Sequence, residues 1–278
     1  MYNFDESRAF QRQIKVELHY ETPARNPAWR LGPFEWVRAI RFHGRILYVY
    51  HVARKMIRKG IFDLDGYATR SWKSLNVAES SGGRVEVRGL EYLANTPGPV
   101  VIIGNHMSSL ETIVLPGFIL PFKEVAFVVK ESLRTHFAFG PIMRSVKHIA
   151  VKRENPRDDL KRVLAEGTEL IRQGVSVVIF PQATRSAEFD IDGFNTLGVK
   201  LALRAGVPVI PLALKTDFMA NGKWVKDAGY VYPDRPIYFE FGAPMTVSEN
   251  GRAAHAAVIR HIVACLKKWG GTIKGVAP

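Results

Sequence analysis

The chain has 278 residues, 47% of them hydrophobic and 23% charged, which excludes a disordered chain and leaves room for one large α/β domain with a small extension. Its 39 Lys and Arg against 26 Asp and Glu give a net charge of +13, which favours an anionic partner: nucleic acid, anionic lipid, a phosphorylated substrate or an acidic carrier protein. A single cysteine, Cys265, excludes an internal disulfide and a cysteine-based metal site, and no stretch of about 18 uncharged apolar residues occurs, so no transmembrane helix is expected.

Residues 1–33 read as polar and irregular, with Pro23, Pro27 and Pro33 as breakers. The start, MYNFDESRAF, lacks the basic head and apolar run of a signal peptide, so a cytoplasmic location is the default expectation. Residues 34–59 read as a helix with seven Lys or Arg against one Glu. Arg38, Arg41, Arg45, Lys55 and Lys59 fall within about a third of its circumference, and Trp36, Ile40, Phe42, Leu47, Val49, Tyr50, Ala53 and Met56 fill much of the rest. Such a helix suits a membrane interface; the plainer alternative is a helix packed on the domain with a solvated basic stripe. After Gly60 come IFDLDGYATRSW and a turn at Gly82-Gly83.

From there strands and helices alternate. Strands are expected at 84–87, 100–104, 124–130, 148–153, 175–180, 207–214 and 236–241. Helices are expected from Ser109 to about Leu120 with Pro116 bending or ending it, loosely at 133–145, and at 156–173, 196–206 and 252–269. Continuous apolar strands alternating with helices mean an α/β fold, a mostly parallel or mixed sheet covered by helices on both faces.

GNHMSSLE, at 104–111, follows the apolar run Val100–Ile103. A His at the end of such a strand stands where the sites of open α/β sheets gather, and a neutral imidazole can take a proton from a hydroxyl. A carboxylate behind it, Glu111, would orient the ring. The alternative is a capping box, Ser108 at the N-cap and Glu111 three residues on, satisfying backbone N–H groups only. The two roles are partly compatible.

Asn105-His106, four residues, then Glu111 resembles the first motif of the glycerolipid acyltransferases, the PlsC-like lysophosphatidic acid acyltransferases, written Asn-His, four residues, Asp. Lys130-Glu-Ser-Leu, Gly140 and Ile149-Ala-Val-Lys-Arg153 look like the second block. Phe180-Pro-Gln-Ala-Thr-Arg-Ser186 resembles the third, Phe-Pro-Glu-Gly-Thr-Arg-Ser, and Val207-Pro-Val-Ile-Pro211 the fourth. Four blocks in order over residues 100–214 make the resemblance specific.

The resemblance implies an acyltransferase domain at 84–278 behind an N-terminal extension at 1–83 that carries the membrane-surface helix. It implies transfer of an acyl chain from acyl-CoA or acyl carrier protein, as co-substrate, to a lysophospholipid hydroxyl at the cytoplasmic face of an anionic membrane, with the protein peripheral or monotopic. The acceptor it points to is 1-acyl-glycerol-3-phosphate, giving phosphatidic acid. It implies His106 as general base and Glu111 in place of the family's Asp, one methylene longer. It makes Asn105, Lys130, Arg153, Gln182, Thr184, Arg185 and Ser186 substrate-binding residues, with Arg153 and Arg185 on the acceptor phosphate; a planar guanidinium fork suits that anion. Backbone N–H groups near the His106 turn would stabilise the oxyanion. No metal or cofactor is expected. Gln182 stands where the family has Glu and Ala183 where it has Gly, which leaves open a different lysolipid headgroup, or a non-catalytic basic membrane-binding relative. Leu115–Phe122 either lines an acyl groove or, more simply, packs in the core.

Two rivals carry less. Ile61-Phe-Asp-Leu-Asp-Gly66 resembles the paired-aspartate motif of haloacid-dehalogenase-type phosphatases, but a basic segment precedes it instead of a buried strand; a turn built on Asp and Gly is simpler. No zinc-finger spacing, RNA-binding aromatic block or Gly-rich phosphate loop supports a nucleic-acid partner, and none is expected.

Overall fold

The structure is a computed structural model and describes residues 2–24, 34–182, 184–222 and 227–277. In chain order it contains α1 (Phe4–Glu17), β1 (Tyr20–Glu21), α2 (Glu35–Arg58), α3 (Leu64–Ser80), β2 (Val85–Arg88), α4 (Leu90–Asn95), β3 (Val101–Gly104), α5 (Leu110–Ile119) and β4 (Val125–Lys130). A 3-10 turn (Glu131–Arg134) leads to α6 (Gly140–Ser145), β5 (His148–Val151), α7 (Pro156–Arg172), β6 (Ser176–Ile179) and β7 (Glu188–Asp190). The chain ends with α8 (Leu197–Ala205), β8 (Val209–Lys215), β9 (Ile237–Phe241), α9 (Arg252–Lys268) and β10 (Thr272–Lys274).

Eight strands form one sheet in the order β1-β2-β9-β8-β3-β6-β4-β5. β8, β3, β6, β4 and β5 are mutually parallel, so their carboxyl ends share one edge; β9 runs against β8. β3, β6 and β8 are buried along their whole length, which is why they read as uninterrupted apolar runs. α7, α8 and α9 pack on one face: Gly198 brings α8 against Ile103, and Gly167 brings α7 against Leu201 and Ile149. α1, α3 and α5 cover the other, where Phe118 meets Phe10 edge-on at 5.6 Å and Phe239 at a tilt at 6.4 Å. The described residues before β2 do not stand apart from the sheet, because Phe10, Ile14 and Phe42 belong to the same continuous core as the strands.

Three helices are not legible in the sequence: α1, α3 and the six-residue α4, between the strands expected at 84–87 and 100–104. α1 lies in the segment read as irregular, and it buries only Ser7, Phe10 and Ile14, too few apolar positions to mark a period. α3 buries mainly small or polar side chains, among them Ala68, Thr69, Ser71, Ser74 and Ala78. Their size lets α3 lie close to α5. Ser71 Oγ sits 2.8 Å from the carbonyl oxygens of Ile113 and Val114 and accepts the Gly117 N–H at 2.7 Å, inside the turn that Pro116 interrupts. So Pro116 does not end α5, and Leu115–Ile119 pack into the core. Asp63 is the N-cap of α3, accepting the Gly66 N–H at 2.8 Å, and Asp65 pairs with Arg8 at 2.7 Å. The paired aspartates are thus a cap and a surface ion pair at a helix start, with no strand before them.

α2 matches the expected helix, with its faces distributed differently. Ala39, Phe42, Ile46, Val49, Ala53 and Met56 face the core, whereas Trp36, Ile40, Leu47 and Tyr48 lie on the solvent face with Arg41, Arg54, Lys55 and Arg58. Arg38 and Arg45 are half-buried, so the basic stripe is not one solvated face. Pro27 and Pro33 lie outside the described residues. β7 and β10, a small parallel pair, have only three residues each and no apolar run to announce them.

Gly104 closes β3 immediately before the site described below. A Cβ there would lie 2.9 Å from the backbone oxygen of Leu212 in β8. Replacing Gly104 with Ala is expected to destabilise the fold by about 1–3 kcal/mol through forced strand displacement, measurable by urea unfolding. An unchanged midpoint would mean that β3 and β8 are not tightly docked at this level.

Candidate active site

The chain leaves β3 at Gly104 and turns before α5. Asn105 closes this turn on the neighbouring strand: its Nδ2 donates to the Leu214 carbonyl at 2.8 Å and its Oδ1 accepts the Leu214 N–H at 2.9 Å. The side chain is buried and grips the β8 backbone through both amide atoms, so it fixes the turn. The next residue, His106, therefore projects from the sheet's carboxyl edge.

Glu111 sits in the first turn of α5 with no solvent exposure. One oxygen, Oε1, accepts from His106 Nδ1 at 2.8 Å and from the Met107 and Ser108 backbone N–H groups at 2.8 and 2.9 Å. The other, Oε2, faces the hydroxyls of Ser108 at 2.8 Å and Thr216 at 2.7 Å. Burial works against the charge, but the hydrogen bonds from His106 and Thr216 and the backbone outweigh it and hold the carboxyl below its ordinary pKa. An ionised carboxylate can only accept, so Nδ1 carries the ring proton and Nε2 presents its lone pair. The extra methylene of Glu over Asp does not prevent the contact. The ring stacks on Phe180 at 4.6 Å and 5°, a flat face that suits both neutral imidazole and imidazolium.

The loop after β6 holds this turn from below. Gln182 Oε1 accepts the His106 N–H at 2.7 Å, and the Ser186 N–H donates to the His106 carbonyl at 3.0 Å. Ser186 Oγ accepts the Glu188 N–H at 3.1 Å. Gln182 and Ser186, expected among the substrate-binding residues, here hold the His106 backbone and its loop. Gln182 is buried, and Ala183 lies outside the described residues. The His106, Met107 and Ser108 N–H groups are all engaged, by Gln182 and Glu111, so an oxyanion would have to be met by other donors.

Arg153 follows β5 with a φ of 63°, and its N–H is held by Asp159 at 2.8 Å. Burial and the neighbouring charge of Arg185 both lower the pKa of its guanidinium, so the two arginines share one region. Arg185 pairs through Nη1 with Asp227. Lys130, at the end of β4, and Thr184 are exposed along the same edge. Among the described residues no group of three or more His, Cys, Asp or Glu is placed to hold a metal ion.

Residues 84–215 match the Acyltransferase family. A 1-acyl-sn-glycerol-3-phosphate acyltransferase of Pseudomonas aeruginosa is 34% identical over 181 residues, covering 64% of this chain and 68% of that protein. The chain belongs to the acyltransferase family. A chloroplastic 1-acyl-sn-glycerol-3-phosphate acyltransferase of Brassica napus is 29% identical over 160 residues, 56% of this chain and 43% of that one. The crystal structure of the 1-acyl-sn-glycerophosphate acyltransferase PlsC from Thermotoga maritima shares the fold at 20% identity, with a TM-score of 0.57, covering 86% of this chain and 100% of that chain.

As an acyltransferase, the chain brings together what its motifs announced, His106, Glu111, Arg153 and Arg185, on one sheet edge. Thr216, Asp227 and Asn221, whose Nδ2 donates to the Met107 carbonyl at 2.8 Å, were not foreseen. Thr216 carried a faint signal, as the first residue beyond β8.

The Glu111 pKa is lowered in the folded state, so its contribution is full above the unfolded value near 4.5 and is lost as pH falls through the folded pKa. Glu79 runs the other way: burial raises its pKa, with Tyr20 and Thr22 only partly offsetting, so it does not add to acid loss. Glu111→Gln is expected to cost about 2–4 kcal/mol at pH 7, since its amide meets donors, and to flatten the acid limb. Denaturant unfolding from pH 7 to pH 3 checks this; parallel acid limbs would show that Glu111 is not held ionised.

Proposed function

We propose that the chain acylates the free hydroxyl of a lysophospholipid, 1-acyl-glycerol-3-phosphate, to give phosphatidic acid, with acyl-CoA or acyl carrier protein as donor. The acceptor follows that of the relatives and rests on one observation above the others: His106, its Nδ1 committed to an ionised Glu111, shares a sheet edge with Arg153 and Arg185.

In this reading Nε2 of His106 takes the acceptor hydroxyl proton as its oxygen attacks the thioester carbonyl. Collapse of the tetrahedral adduct breaks the carbon–sulfur bond, and the imidazolium returns the proton to the departing thiolate. Glu111 keeps the required tautomer and steadies the imidazolium. Arg153 and Arg185 hold the acceptor phosphate by charge-assisted hydrogen bonds. Lys130 and Thr184 stand at the rim, where a donor or headgroup passes.

The exposed face of α2 supports docking on an anionic membrane. Trp36, Ile40 and Leu47 are 57%, 64% and 49% exposed beside Arg41, Arg54, Lys55 and Arg58, which combines apolar insertion with attraction to anionic lipid. Among the described residues no helix is long and apolar enough to cross a membrane, and the contact proposed is a peripheral or monotopic one.

His106→Ala is expected to lower kcat by about 10²–10⁴ on 1-acyl-glycerol-3-phosphate with either donor, read as thiol release. Wild-type turnover in that variant removes the mechanism. Replacing Trp36, Ile40 and Leu47 together with Ser is expected to weaken co-sedimentation with anionic vesicles about ten-fold or more while leaving the melting temperature unchanged. Undiminished sedimentation would place the membrane contact elsewhere.

A further inference from the structure

Arg185 is largely buried, with 16% of its side chain exposed, yet Nη1 is already occupied by the Asp227 carboxylate. Asp227 is more open, at 48%, and stands on the solvent side of the pair. Burial raises the Asp227 pKa, but Arg185, the nearby Ser109 side chain and the charge of His136 together hold it below the usual carboxylate range. A carboxylate thus sits among Arg185, Ser109 and His136, on a donor end of the guanidinium that an acceptor oxyanion would need. The pair is open to water on the Asp227 side, so a more highly charged anion can compete with the carboxylate for Nη1. The displaced or neighbouring charge still repels that anion, and the repulsion grows with the anion's charge.

Resting on the acceptor reading above, we propose that Asp227 is a specificity-determining residue that competes with the acceptor headgroup for Arg185 and discriminates by headgroup charge. A phosphate monoester, which carries up to two negative charges, meets a larger penalty than a diester with one. Arg153 is the second cation of the region; burial and the repelling charge of Arg185 lower its pKa, and Asp159 raises it. Asp227 therefore tunes one side of the anion site while the other remains basic.

The test compares wild type and Asp227→Asn on 1-acyl-glycerol-3-phosphate and its monomethyl phosphodiester, dispersed in neutral detergent. Two quantities are read: kcat/KM with an acyl donor, and binding by calorimetry without one. The monoester-to-diester ratio is expected to rise about ten-fold in the variant, in both turnover and binding. Ser109→Ala, which removes a group holding the carboxylate, is expected to move the ratio the same way by less. An unchanged ratio overturns the inference. So does weaker binding of both lipids in Asp227→Asn, which would mean that the carboxylate only orients Arg185. If wild type turns over neither lipid, the acceptor reading fails, and the binding ratio still decides the role of Asp227.

Discussion

A carboxylate with no access to water, at the first turn of α5, is the constraint on which the site depends. A buried charge is tolerable only when its acceptor positions are filled. Five donors fill them, from the turn after β3, from the imidazole, and from Thr216 beyond β8. These are separate stretches of chain, so satisfying one charge joins β3, β8 and α5 at one point. The same bonds choose the His106 tautomer. Stability and aim are therefore a single requirement here: a rearrangement that turned the ring away would also leave the carboxylate short of a donor.

The hydrogen bonds also explain how Gln182 serves where the family has Glu. It accepts the His106 N–H, which needs an oxygen and no charge. A neutral amide does this without setting a second carboxylate near Glu111 and without offsetting the arginines. The reverse follows for the turn's own amides. Because His106, Met107 and Ser108 spend their N–H groups on Gln182 and Glu111, the turn is rigid, and charge developing on a substrate oxygen must be met by other groups.

The sheet was legible because parallel strands buried on both faces read as unbroken apolar runs, and the carboxyl-edge rule then located the site. Capping and base-orientation looked like alternatives for Glu111, yet its two oxygens do both, because a carboxylate has more acceptor positions than either role uses. Spacing failed where it was asked for direction. Asn105, Gln182 and Ser186 lie beside His106 as the motifs imply, but their side chains serve backbone, and nothing in a linear pattern distinguishes a residue facing a ligand from one holding the loop that does. Asp227 had no signal: it lies 12 residues beyond the end of β8, outside every apolar run, and acquires meaning only through its contact with Arg185.

α2 links the outer surface to this chemistry. Its core side, through Phe42 and Met56, locks it to the domain, so its outer aromatic and basic side chains cannot shift independently. On the same helix, His43 Nε2 lies 2.7 Å from the Gly229 carbonyl, two residues beyond Asp227. Tyr50, whose phenol is pushed to a high pKa by burial and then by the charge of Asp227, stands near the Arg185 pair. One rigid helix thus presents apolar and cationic groups outward and supports, on its inner side, the segment that occupies an arginine of the site. A helix held at two such points fixes the orientation of the anion site relative to any surface its outer face meets. An acceptor whose tail lies in a bilayer has its headgroup at a defined depth, and a cleft at a defined orientation can reach it without first extracting the lipid.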